Sequence, residues 1–150
     1  MSSPLRSILL LSVFALLSAC GAGTGASPAA AQPQPSGYAV TVRSGGHVVG
    51  HLDLTALRSL PAIDVPTPQS QGKQVQHGPR VRAALSHAGV QKFGKLRAVA
   101  LDGTVQTFTS AEIDDQVVLD FDNRGTVKLA GAHLATNRWV REVTELDADA

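Results

Sequence analysis

LRAVALDGTVQTFT, Leu96 to Thr109, reads as a β-hairpin. Leu96 to Leu101 is an almost unbroken apolar run, Asp102-Gly103 is a two-residue turn, and Thr104 to Thr109 returns through β-branched positions. Working outward, two more pairs repeat the pattern. Tyr38 to Arg43 alternates apolar or small residues with polar ones, turns at Gly45-Gly46 and returns as His47 to Leu52. Val117 to Phe121 turns at Asp122 to Gly125 and returns as Thr126 to Leu129. Ile63 to Val65 is a brief strand closed by Pro66 and Pro68, and a polar loop follows it.

Helical signals are short. Asp53 can cap a helix over Leu54 to Leu60, which Pro61 ends. Pro79 opens a helix in which Val81, Ala84, Leu85 and Ala88 recur at helical spacing until Gly89. Thr109 and Glu112 form a capping-box pattern that predicts one helical turn over Ser110 to Asp115. Trp139 to Leu146 fits a helix through Trp139, Val143 and Leu146, or a strand through Val140, Val143 and Thr144. Trp139 is expected in the core, as the largest side chain of an aromatic-poor chain. The expectation is an α+β domain: a mixed, mostly antiparallel sheet with two or three short helices.

The N-terminus has its own logic. Arg6 precedes an apolar run from Ile8 to Leu17, too short to span a bilayer and of the length of a signal peptide's apolar region. Leu17-Ser18-Ala19-Cys20 then resembles the lipobox of bacterial lipoproteins, in which the Cys thiol accepts a diacylglycerol before cleavage on its N-terminal side. The expected organisation is a leader over 1–19, a tether over 20–37 beginning at lipidated Cys20, and a domain over 38–149. Gly21 to Gly37 carries no charge and no apolar side chain larger than Ala. Such a tether spans on the order of 20–25 Å. The location implied is extracytoplasmic, with the membrane as a partner through the lipid on Cys20.

Charge and cysteine content exclude several function classes. The 13 Lys and Arg nearly balance the 12 Asp and Glu, and loss of Arg6 with the leader leaves 12 of each. A neutral, secreted chain lacks the basic excess that nucleic-acid binding needs. The sole Cys, Cys20, permits neither an internal disulfide nor a Cys-rich zinc site. His47 and His51 would share one face of a regular strand, with Asp53 next in line, yet stand about 13 Å apart at 3.3 Å per residue, too far for one ion unless Gly50 bulges the chain. Asp120 to Gly125 begins like a calcium loop but has Arg124 at its fifth position and Gly131 where a Glu is needed. Asp114-Asp115 reads as a solvated turn.

The order of the segments LTALRSLP (Leu54 to Pro61), HGPRVRAALSHAGV (His77 to Val90), LRAVALDG (Leu96 to Gly103), TFTSAEI (Thr107 to Ile113), DFDNRG (Asp120 to Gly125) and RWVREVTEL (Arg138 to Leu146) resembles the molybdopterin-binding oxidoreductase domain of the sulfite oxidase type. The resemblance implies that family's fold and, in its enzymes, a molybdenum held by a cysteine thiolate. The thiolate belongs between the brief strand and the following helix. Here that stretch is PTPQSQGKQVQH, Pro66 to His77, without Cys. The resemblance therefore implies a lipid-anchored binding or accessory domain with no cofactor expected. A molybdopterin-dependent oxidoreductase with atypical metal ligation is the alternative.

From Tyr38 to Ala98 there are eight basic and two acidic residues, and from Val99 onward four basic and ten acidic. The basic half includes Lys73, His77, Arg80 and Arg82, placed where the family holds its cofactor. These four are the candidate ligand-binding residues, suited to an anionic small molecule or to an acidic envelope protein.

Overall fold

A computed structural model of the chain describes residues 37–149. The expected leader, the expected tether up to Ser36 and Cys20, the expected lipidation site, lie outside the described residues.

Among the described residues, nine strands and two helices follow one another in the order β1 (Ala39–Ser44), β2 (His47–Asp53), α1 (Leu54–Ser59), β3 (Ala62–Pro66), β4 (Val75–Pro79), α2 (Val81–His87), β5 (Lys95–Ala100), β6 (Val105–Thr109), β7 (Val117–Phe121), β8 (Val127–Gly131) and β9 (Val143–Ala148). A single 3-10 turn, Thr136–Arg138, precedes the last strand. Five strands make one sheet in the order β2-β1-β9-β5-β6, while β3-β4 and β7-β8 form separate two-stranded ribbons. Within the large sheet β9 runs parallel to β1 and antiparallel to β5, so the C-terminal strand sits at its centre.

Alternation on these strands builds the core. Val40 and Val42 of β1, Leu96 and Ala98 of β5, and Leu146 and Ala148 of β9 are fully buried on one face. Phe108, paired with Leu96, extends that face onto β6. Leu119 and Leu129 from the β7-β8 ribbon and Leu85 from α2 join the same buried cluster. Each such side chain contributes roughly 1.5–3 kcal/mol of burial. The β4 and β7 backbones approach so closely that a Cβ on Gly78 would lie 1.9 Å from the Leu119 carbonyl oxygen.

The helices form where local signals place them, and both are short. The Asp53 carboxylate accepts from the Ala56 amide at 2.7 Å to open α1. Past the end of α2, Gly89 at φ +94° lets the Val90 amide reach back to the Leu85 carbonyl at 2.9 Å.

The fold class needs correction. Strands account for 46% of the structure and helices for 14%, so the domain is mostly β rather than the α+β arrangement of sulfite oxidase type expected from the sequence. Three segments account for the difference. Val75–Pro79, read as loop and helix start, is a strand registered on β3 with Asp64 opposite His77. Val143–Ala148, ambiguous by periodicity, is a strand because it has neighbours on both sides. The capping box at Thr109 does close, with the Glu112 carboxylate accepting from the Thr109 amide at 2.8 Å, yet Ser110–Asp115 stays a set of turns.

Candidate functional site

Asp120, on β7, is 2% exposed and organises the charged side of the molecule. Its Oδ1 accepts from the Lys73 ammonium at 2.5 Å and from the His77 backbone amide at 2.7 Å. Its Oδ2 lies 3.5 Å from the Lys128 ammonium. Two ammonium groups thus share one carboxylate. The loop that delivers Lys73 is strapped down by Gln69, whose amide nitrogen reaches the carbonyls of Gly131, Ala132 and Leu134 at 3.2, 2.8 and 3.2 Å.

A cleft of about 390 Å³ opens above this pair, lined by Ser70, Gly72, Lys73, Lys128, Trp139 and Arg141 among others. Strand pairing explains why residues so far apart in sequence meet. Leu129 and Val140 exchange backbone hydrogen bonds at 2.8 and 3.1 Å and are both buried. Their chain neighbours Lys128 and Arg141 therefore turn away from the core, opposite each other across the pair. The Lys128 ammonium stands 5.2 Å over the Trp139 ring, and the indole N–H donates to the Leu134 carbonyl at 3.1 Å. Arg141 is exposed and has no hydrogen-bond or ion-pair partner among the described residues. A neighbouring cleft of about 290 Å³ shares Lys128 and Arg141 and adds Asp122, Arg124 and Glu142.

The acidic groups on that side are already engaged. Burial alone would raise the Asp122 carboxyl, but hydrogen bonds from Thr126 and the Arg124 amide hold it below the usual carboxylate range. Glu142 pairs with Arg124 at 3.3 Å. The lining of the larger cleft carries three cations, Lys73, Lys128 and Arg141, and the buried Asp120 carboxylate that two of them share lies outside that lining.

The structure separates the four basic residues singled out from the sequence. Lys73 lines the cleft. His77 points from the exposed side of β4 to Asp64 on β3, 2.6 Å away. Arg80 lies 3.8 Å from Asp115. Arg82 donates to the carbonyls of Ile113 at 2.5 Å and Ser110 at 2.6 Å, with its guanidinium 5.2 Å over Phe93, so it fastens the turn after β6 to α2. Lys128, Trp139 and Arg141 were not among the sequence candidates. Trp139, expected in the core, is half-buried and forms a wall of the cleft. The signal for it lay in Trp139-Val140-Arg141, where a residue on each side of a buried Val must share the outer face of an extended chain.

The other clusters stay apart. A register shift in the β1-β2 pair sets His47 opposite Ser44 and His51 opposite Thr41, on opposite faces of β1. Asp114 accepts from the Gln116 amide at 2.8 Å while Asp115 faces Arg80. Among the described residues no three His, Cys, Asp or Glu side chains gather as metal ligands. The Pro66–His77 segment offers Gln, Lys, Thr and Ser donors and a His engaged by Asp64, a set that does not fit a molybdenum centre.

No protein-family model matches the chain, and no curated protein matches it.

Proposed function

We propose that the chain is a lipid-anchored, extracytoplasmic binding module for an anionic ligand, working by binding rather than by redox catalysis. The location rests on the leader and the Leu17-Ser18-Ala19-Cys20 motif. The ligand class rests on one observation: beside two ammonium groups that share the Asp120 carboxylate stands Arg141, exposed and without a partner among the described residues. Such a cleft attracts anions, and a guanidinium can grip a carboxylate or phosphate with two hydrogen bonds. The half-buried Trp139 ring gives it an apolar wall.

Retention on an anionic resin such as phosphocellulose tests this reading. Arg141→Gln and Lys73→Gln should elute at clearly lower salt than the wild type, whereas Lys92→Gln, at an exposed residue outside the cleft, should elute close to it. Equal elution of all three variants would remove the cleft as the binding site.

A further inference from the structure

Resting on that reading, we propose that the anion is the phosphate of an acidic phospholipid headgroup, bound at the membrane to which the chain is tethered. The argument starts at Tyr38, the second described residue. Its hydroxyl donates to the Val143 carbonyl at 2.5 Å and accepts from the Val127 amide at 3.1 Å. Val127 precedes Lys128, and Val143 follows Glu142. Both of those neighbours line the smaller cleft, which shares Lys128 and Arg141 with the larger one. The side chain of Tyr38, near the start of the described residues, is therefore fastened to backbone that adjoins the cleft lining.

The chemistry of the cleft suits a headgroup. Lys73, Lys128 and Arg141 line it, and together they can donate charge-assisted hydrogen bonds to the unshared oxygens of a phosphodiester. Both clefts are partly open to solvent and lined mainly by polar residues. Trp139 adds an indole at the cleft wall, and indoles favour the level of lipid headgroups. Anionic lipid attracts such basic residues at a surface, and the attraction fades within a Debye length of the membrane. A tether on the order of 20–25 Å keeps the domain close enough to explore that layer.

The experiment uses the full-length chain in neutral detergent micelles, with the emission of Trp139, the sole Trp, reporting on the cleft. The micelles are titrated with phosphatidylglycerol, with phosphatidylcholine, or the solution with inorganic phosphate. The expected result is a saturable emission change with phosphatidylglycerol alone. In Arg141→Gln its midpoint should rise about fivefold, the worth of one basic residue at an anionic surface, and in Lys92→Gln it should stay in place. An equal response to inorganic phosphate would overturn the headgroup proposal while leaving the anion cleft standing. A response to phosphatidylcholine equal to that with phosphatidylglycerol would overturn it as well. Silence in every titration, together with unchanged resin retention of the variants, would overturn both.

Discussion

The Asp120 carboxylate, fully enclosed on β7, holds the Lys73 ammonium at 2.5 Å across 47 residues of sequence. This single contact joins the loop after β3 to the β7-β8 ribbon and sets the charge of the cleft. Asp120→Asn keeps an acceptor for the His77 amide but removes the anion shared by Lys73 and Lys128. The expected cost is about 1–3 kcal/mol in chemical denaturation, in the range for hydrogen bonds to charged groups. Retention on the anionic resin should increase in the same variant, because two ammonium groups lose their neutralising partner. Lower stability with unchanged retention would show that Asp120 is structural only.

Tyr38 ties the start of the domain to its centre. Burial is the main reason its phenol is pushed up to about 12, with the nearby Asp122 and Glu142 charges acting in the same direction and the Val127 hydrogen bond against them. A raised pKa means the folded state prefers the neutral phenol. Its contribution is complete below the ordinary tyrosine value of about 10 and is lost as pH climbs from there through about 12. Tyr38→Phe should lose about 1–3 kcal/mol at neutral pH, because the buried Val127 amide is left unsatisfied. The gap between variant and wild type should narrow across that alkaline window. A gap constant with pH would contradict the assignment.

Gly78 is where β4 passes closest to β7. A methyl group there would overlap the Leu119 carbonyl oxygen at 1.9 Å, and backbone cannot swing aside as a side chain can. Gly78→Ala should fall at the severe end of single substitutions, about 4–5 kcal/mol. Gly72→Ala, where an added Cβ meets nothing within 4 Å, is the control and should be close to neutral. Similar thermal midpoints for the two would refute the close approach.

Trp139 is both wall and support. It packs against the core cluster, carries Lys128 on its face and fastens its N–H to the Leu134 carbonyl. Trp139→Ala should cost about 2–3 kcal/mol, below the 3–5 typical of a fully enclosed Trp. Acrylamide should quench its emission partly in the folded state. Complete protection from quenching would return Trp139 to the core and close the cleft.

Cys20 carries the prediction for location. In a bacterial host the wild-type chain should partition into detergent, and Cys20→Ala should persist as an unprocessed precursor. An unmodified mature N-terminus by mass spectrometry would remove the lipid anchor from the proposal.

What the sequence determined by itself was local. Asp102-Gly103 marked the β5-β6 turn, Asp53 and Pro61 bracketed α1, and Gly89 ended α2, because turn and capping preferences depend on a few adjacent residues. Fold class was misread where structure depends on partners distant in sequence. Val75–Pro79 carries Gly and Pro, which disfavour a strand, and becomes one through its pairing with β3. Val143–Ala148 becomes one by filling the gap between β1 and β5, which are themselves 50 residues apart in the chain and cannot signal that gap locally.

The candidate site divides along the same line. A basic stretch from Lys73 to Arg82 was visible in sequence, but charge alone does not show which cations are already occupied. Tertiary structure decided that: Arg82 is spent on two carbonyls, His77 on Asp64 and Lys73 on Asp120, and of the three only Lys73 lines the cleft. Lys128 and Arg141 joined it only because Leu129 and Val140 pair across the chain, and a pairing register between remote segments is settled by the packing of the whole core rather than by either segment.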